Sequence, residues 1–94
     1  MLTHIVCFKY HGDTSESARE DHRSQLRGLE DIEGIITLTV GEDVVHSARS
    51  YDTALVVVFR DRLALDAYQK NPRHVPVAQF GVTLCESIVA VDFQ

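Results

Sequence analysis

The sequence predicts an α+β fold in which the elements follow the order βαββαβ. Four segments are rich in β-branched and aromatic residues, as strands are. Two other segments carry apolar residues at steps of three and four, as amphipathic helices do. The 94 residues are 45% hydrophobic and 24% charged, which is typical of a globular protein. We expect one domain over residues 1–94.

The first strand and the first helix are predicted from two different periodicities. Residues 3–10 alternate, which gives one strand face made of His4, Val6, Phe8 and Tyr10. The helix is predicted over residues 14–33, with Asp13 as its N-cap and Gly34 at its end. Its buried stripe is formed by Ala18, His22, Leu26, Leu29 and Ile32. The charged residues between positions 16 and 27 are expected to form a solvated face.

The second and third strands follow directly. Residues 35–46 are rich in β-branched residues, and a bulge or bend is expected at positions 41–43, which include a glycine. Residues 51–60 contain the longest apolar run of the chain. Because neighbouring side chains of a strand point to opposite faces, this run predicts burial on both faces of the sheet.

The last third of the chain is predicted to hold a helix, an irregular connection and a strand. Asp61 is predicted to cap the helix, which runs to about Lys70 and is ended by the Asn-Pro pair that follows. Residues 73–82 contain Pro76 and Gly81 and are expected to be irregular. Residues 83–93 form the last strand, which is again apolar on both sides at its centre.

This order predicts a ferredoxin-like protomer, with a four-stranded antiparallel sheet and two helices on one face. The helices leave the other face of the sheet uncovered. The third and fourth strands make that face apolar, and a monomer rarely exposes so large an apolar patch. We therefore expect a homodimer through the sheet face, in which two sheets pack into a dimeric α+β barrel.

Charge and hydropathy argue against two classes of partner. The net charge is −5 and no basic run is present, so we expect no binding to nucleic acid. The longest apolar stretch, residues 54–59, is far shorter than the ~20 residues of a spanning helix, so we expect no membrane partner. The first residues lack the basic region and the small-residue cleavage site of a signal peptide, and we therefore expect a cytoplasmic protein.

Cysteine and histidine spacing predicts neither a disulfide framework nor a metal site. Cys7 and Cys85 lie far apart and are expected to be free, buried thiols without a catalytic role. His11, His22 and His46 have no partner at metal-ligand spacing. No glycine-rich nucleotide motif or nucleophile-elbow motif is present, and we expect no cofactor.

Four segments in register resemble one known family. They are HIVCFKY at 4–10, YDTALVVVF at 51–59, LDAYQKNPRH at 65–74 and VAVDF at 89–93. Together they are similar to the stress-responsive α/β-barrel domain family. The resemblance covers nearly the whole chain and implies a dimeric α+β barrel built from ferredoxin-like protomers.

The resemblance also implies candidate site residues. In a plant polyketide cyclase of this family, a Tyr and a His at the end of the second helix promote an intramolecular aldol closure. These positions match Tyr68 and His74, and a cavity histidine on the first strand matches His4. A further histidine on the cyclase's third strand is replaced here, around Thr53, so the polar lining of the pocket differs.

Two functions are consistent with these residues. In the first, a pocket between helices and sheet binds a small hydrophobic carbonyl compound for cyclase-like or other cofactor-free chemistry. His74 is then a general base and Tyr68 polarises the carbonyl. A cavity of roughly 300 Å³ that reaches His4, Tyr68 and His74 would favour this function. In the second, the protein is a non-catalytic dimer, Tyr68 and His4 are core residues, and His74 bonds a backbone carbonyl.

Overall fold

Seven elements make up the fold, in a computed structural model that describes residues 1–94. In chain order they are β1 (Leu2–Tyr10), α1 (Glu16–Arg27), β2 (Ile35–Glu42), β3 (Thr53–Phe59), α2 (Arg62–Lys70), α3 (His74–Leu84) and β4 (Cys85–Phe93). The strands form one antiparallel sheet in the order β2-β3-β1-β4. The predicted ferredoxin-like βαββαβ fold is confirmed, with one helix more than expected.

The core lies between the helices and one face of this sheet. On β1 the buried residues are His4, Val6, Phe8 and Tyr10, as the alternation predicted. The register pairs His4 with Val57 of β3 on one side and with Asp92 of β4 on the other. Because directly paired residues of neighbouring strands share a face, the side chain of Asp92 lies on the helix-covered face beside His4.

The first helix is shorter than predicted at both ends. Its N-cap is Ser15, whose hydroxyl accepts a hydrogen bond from the Ala18 N–H, so the predicted cap Asp13 is wrong. The helix ends at Arg27 instead of at position 33.

Consecutive turns replace the last part of the predicted helix. The N–H groups of Leu29 and Ile32 donate to carbonyls three residues earlier, at 3.1 Å each. Because this spacing still turns every third side chain inward, Leu29 and Ile32 are buried as predicted although the segment is not helical. Gly34 then has a φ of 91°, and a Cβ there would lie 2.6 Å from the Cβ of Ala64.

The prediction that residues 73–82 form an irregular connection is wrong, since the helix α3 occupies this segment. Pro76 falls in the first turn of this helix, where backbone N–H groups have no intrahelical partner, so its missing N–H costs nothing. Gly81 lies in the helix interior, where a Cβ would meet Nε2 of His22 at 2.9 Å. Tight packing against α1 therefore accounts for the glycine that suggested irregular structure.

The strand boundaries also differ in detail. The irregularity in β2 falls between Ile35 and Thr37, and not at positions 41–43, because the pairing with β3 continues through Glu42. The third strand begins at Thr53 and the fourth at Cys85, each two residues later than predicted.

The second face of the sheet carries no helix, as expected. We call it the open face; it consists of Ile5, Cys7, Val56, Val58, Val89, Val91 and Phe93. Val91 and Phe93 expose 61% and 51% of their surface, so the open face is apolar and uncovered within one chain. Cys7 is half-buried on this face, instead of buried as expected, and Cys85 is buried. No helix of the fold is both long and apolar enough to span a membrane.

Candidate functional site

A partly open cavity of about 240 Å³ lies between the sheet and α3. Nine of its thirteen lining residues are hydrophobic, and the polar ones are His4, His22, Gln69 and His74. A larger groove of about 580 Å³ runs beside α2, but five of its eight lining residues are polar or charged. An apolar cavity with a few convergent polar groups is the usual form of a small-molecule site.

His4 is held in the cavity by the strand register. Its imidazole Nδ1 contacts the carboxylate of Asp92, which the β1–β4 pairing places directly opposite. His4 is 5% exposed. A carboxylate only accepts, so Nδ1 of His4 carries the proton of this hydrogen bond, and Nε2 makes no other side-chain hydrogen bond.

Tyr68 and His74 meet across the break between α2 and α3. Lys70 is the last residue of α2, and the N–H of His74 donates to the Asn71 carbonyl at 2.9 Å, which starts α3 at once. The short break brings the two rings to a centroid distance of 4.0 Å at 34°. Tyr68 also lies edge-on to His4, at 6.2 Å. The three predicted site residues are therefore neighbours.

Two polar atoms of this group have no hydrogen-bond partner within the chain. They are the hydroxyl of Tyr68 and Nδ1 of His74, and both are buried. A buried polar group without a partner costs about 1–3 kcal/mol, so a native protein has only a few such atoms.

Burial fixes the protonation of the pair at neutral pH. Desolvation raises the pKa of Tyr68 to about 12, which keeps its hydroxyl protonated. Desolvation also lowers the pKa of His74, and a positive charge on His4 would lower it further, while the Gln69 backbone acts in the opposite direction. His74 is thus a neutral imidazole beside a hydroxyl donor.

The cavity meets the sequence-based expectation only in part. Its volume is below the roughly 300 Å³ expected of a ligand site, and its lining includes His4 and His74 but not Tyr68. Tyr68 is 1% exposed, packs against His74, and lines a separate groove of about 340 Å³ on the other side of α2 from the cavity lining. The alternative in which His74 bonds a backbone carbonyl remains open, because the Gln69 backbone interacts with the His74 ring and raises its pKa, although Nδ1 of His74 has no hydrogen-bond partner.

A second polar cluster beside the cavity was missed from the sequence. His22 is fully buried and lines the cavity, and its Nδ1 lies 2.8 Å from the Tyr10 hydroxyl. That hydroxyl is 3.0 Å from Oγ1 of Thr53, which accepts a hydrogen bond from Arg23. The sequence does contain an indication of this cluster, because Tyr10 lies on the predicted buried face of the first strand and His22 lies in the predicted buried stripe of the first helix.

Arg23 corrects the expectation that the charges of α1 form a solvated face. Only 2% of its side chain is exposed, and it pairs with the half-exposed or exposed carboxylates of Glu16, Glu20 and Glu42. Arg23 follows His22 in sequence and lies at the edge of the core. There it contacts Glu42, the last residue of β2.

The remaining reactive side chains form no second centre. No group of three or more His, Cys, Asp or Glu side chains has the arrangement of a metal site. Burial raises the pKa of Cys85 to about 11, so its thiol is protonated and a poor nucleophile at neutral pH.

The family profile of the Stress responsive A/B Barrel Domain, abbreviated Dabb, matches residues 2–94. The chain belongs to the Dabb family. The family named by the sequence resemblance is thereby confirmed. Comparison of this Dabb chain with functionally curated proteins gives no significant match.

Solved structures with the same fold include dimeric proteins. A dimeric ferredoxin-like protein of unknown function from Thermobifida fusca has a TM-score of 0.89 and 25% identity, and the match covers 98% of the Dabb chain and 88% of that chain. A Dabb family protein from Mesorhizobium loti has a TM-score of 0.83 at 20% identity, with 99% and 94% covered. A hydroxynitrile lyase from Passiflora edulis has a TM-score of 0.87 at 18% identity, with 98% and 90% covered.

Proposed function

We propose that this Dabb protein binds a small, mostly apolar carbonyl compound in the cavity and removes a proton from the carbon beside the carbonyl. The observation that carries the proposal is the stacked Tyr68–His74 pair, which has an unpartnered hydroxyl and an unpartnered ring nitrogen next to an apolar cavity. A donor and a base side by side are what enolisation requires.

Each residue has a defined role in the proposed step. The Tyr68 hydroxyl donates a hydrogen bond to the carbonyl oxygen, where negative charge develops. His74 takes the proton of the C–H bond, whose electron pair moves into the enolate. His4, oriented by Asp92, contributes Nε2 of a second imidazole to the cavity wall. Because Tyr68 does not line the cavity and packs against His74, binding includes a small displacement of the half-buried His74 ring.

The proposed assembly is a homodimer through the open face. Two similar solved structures are those of dimeric ferredoxin-like proteins, and the open face is apolar and uncovered. Packing two such sheets face to face gives a barrel and buries Val91 and Phe93. Both cysteines are unpaired, which suits the reducing cytoplasm in which we place the protein.

The alternative is a dimer without catalytic activity. It is favoured by the fully packed Tyr68 and by a cavity smaller than most ligand sites. In that case the polar side chains around the cavity only fill the core, and no carbonyl compound binds there.

Deuterium exchange of acetophenone separates the two functions. We expect the protein to accelerate exchange of the methyl protons in D₂O at neutral pH, measured by ¹H NMR. Tyr68→Phe and His74→Gln should each lose at least about 100-fold of the acceleration, the usual effect of a general acid or base. Tyr51→Phe is the matched control, because the Tyr51 hydroxyl bonds Ser87 outside the cavity and its loss should not affect exchange. If the protein neither binds acetophenone nor accelerates the exchange, the non-catalytic dimer is the correct function.

A further inference from the structure

A chain of hydrogen bonds runs from the surface of α1 to the wall of the cavity. Nη1 of Arg23 lies 3.3 Å from Oγ1 of Thr53, which is 3.0 Å from the Tyr10 hydroxyl. That hydroxyl is 2.8 Å from Nδ1 of His22. All four side chains are at least 98% buried.

The direction of the chain follows from its first member. A guanidinium can only donate, so Oγ1 of Thr53 accepts from Arg23. Thr53 makes no other side-chain hydrogen bond than those to Arg23 and Tyr10, so its own proton goes to the Tyr10 oxygen. In this arrangement the Tyr10 proton goes to Nδ1 of His22, so that each of the Arg23, Thr53 and Tyr10 donors in the chain has an acceptor. A neutral imidazole with an acceptor Nδ1 carries its proton on Nε2.

Nε2 of His22 is therefore a buried N–H donor, and it has no partner within the chain. His22 is fully buried and belongs to the cavity lining. Next to Nε2, α3 has a glycine, and a Cβ at Gly81 would lie only 2.9 Å from this nitrogen. Any larger residue at position 81 would clash with the His22 ring.

His22 and His4 belong to different ends of the cavity. The His22 ring packs against Phe8, with a centroid distance of 4.7 Å, and Phe8 follows His4 by four residues on β1. Four residues of a strand span about 13 Å. The cavity thus has a polar group at each end and hydrophobic residues between them.

We propose that His22 is a second binding residue of the site, whose Nε2–H donates a hydrogen bond to an acceptor oxygen at the far end of the ligand. This inference rests on the proposed function and narrows its ligand class. The ligand is a small carbonyl compound with a second oxygen acceptor, such as an ether or a second carbonyl, separated from the first by an apolar spacer.

The test uses two probes of nearly equal shape, 4′-methoxyacetophenone and 4′-ethylacetophenone. Only the first has an ether oxygen in addition to the carbonyl. We expect the unmodified protein to bind the methoxy probe about five-fold more tightly, which is the effect of one net hydrogen bond. His22→Phe should remove this preference, and His22→Gln, which keeps a donor and an acceptor, should retain part of it. Titration calorimetry gives the dissociation constants.

The outcomes separate the inference from the function on which it rests. If both probes bind equally well to the unmodified protein, the role of His22 is wrong and the carbonyl site stands. If neither probe binds, the proposed function fails, and the inference with it. A long-range ¹H–¹⁵N spectrum of the unliganded protein at pH 7 provides a test without any variant. It should show His22 as the neutral Nε2–H form, and an Nδ1–H or charged imidazole would overturn the inference.

Discussion

The ring of His74 lies 4.0 Å from the ring of Tyr68, and the hydroxyl of Tyr68 has no partner within the chain. The hydroxyl of Tyr10 is equally buried but bonds both His22 and Thr53. The same functional group thus has a structural role in one tyrosine and none in the other. This difference can be measured in stability, independently of any ligand.

Replacing Tyr68 by Phe should leave the protein as stable as before or more stable. The substitution removes a buried hydroxyl that forms no hydrogen bond, so no interaction is lost and a desolvation cost disappears. Tyr10→Phe is the matched variant, since it leaves Nδ1 of His22 without its donor and should cost about 1–3 kcal/mol. Urea unfolding gives both values. An equal loss of stability in the two variants would mean that the Tyr68 hydroxyl is bonded in the folded protein.

The sequence predicts the residues of the candidate site but not the helix that brings them together. Tyr68, His74 and His4 were identified by resemblance, and the alternation of β1 placed His4 on the buried face. Their proximity depends on α3, whose sequence contains Pro76, Gly81 and several valines and so has weak helix propensity. The fold stabilises this helix by packing it on α1, which local propensity cannot indicate.

Buried polar residues are a second feature of the structure that the sequence does not predict. Arg23 is flanked by charged residues in the sequence and has the composition of a solvated surface, yet three carboxylates and Thr53 surround its guanidinium in the core. The sequence places His22 in the buried stripe without a partner at metal-ligand spacing, but it does not indicate the hydrogen bond to Tyr10. Glu16 and Glu20 are near Arg23 on α1, but Tyr10, Glu42 and Thr53 come from β1, β2 and β3, so the contacts with these three residues form only when the strands are paired.

Stability should fall as the pH is lowered from about 6.5 to about 4, because of His22. Burial lowers the pKa of His22 from 6.5 to about 4, so in this range the unfolded chain binds a proton that the folded protein does not. The stability is complete above pH 6.5 and decreases by about 3 kcal/mol at pH 4. The lowered pKa of His74 adds a loss of the same sign. Urea unfolding at pH 7 and pH 4 measures the decrease.

Two variants show whether this acid sensitivity comes from His22. His22→Gln keeps an acceptor for the Tyr10 hydroxyl but cannot titrate, so the difference between pH 7 and pH 4 should become smaller by up to about 3 kcal/mol. His46→Gln replaces a histidine whose side chain is 75% exposed, and the pH dependence should stay that of the unmodified protein. Equal pH dependence in all three proteins would contradict the assignment.

Arg23 and Arg27 should differ strongly although both lie in the charged part of α1. Arg23→Ala removes a side chain that is 2% exposed, leaves a void, and takes the donor from Thr53, so we expect a loss of about 2 kcal/mol. Arg27 is 49% exposed and pairs only with Glu20 at 3.5 Å, and Arg27→Ala should cost less than about 0.5 kcal/mol. Thermal and urea unfolding of the two variants measure these losses of stability. Similar losses would mean that Arg23 belongs to a solvated face, as the sequence predicted.

The open face should control the association state, and neighbouring residues of β3 allow a direct test. Val58 lies on the open face and Val57 is fully buried under the helices. Val58→Asp should give a folded monomer in sedimentation velocity, since a carboxylate in the sheet-to-sheet interface has no partner. Val57→Asp should instead unfold the chain, and circular dichroism will show this loss of structure. Val45→Asp, at a loop position that is 72% exposed, should remain a folded dimer. A stable monomer for the unmodified protein at micromolar concentration would refute the proposed dimer.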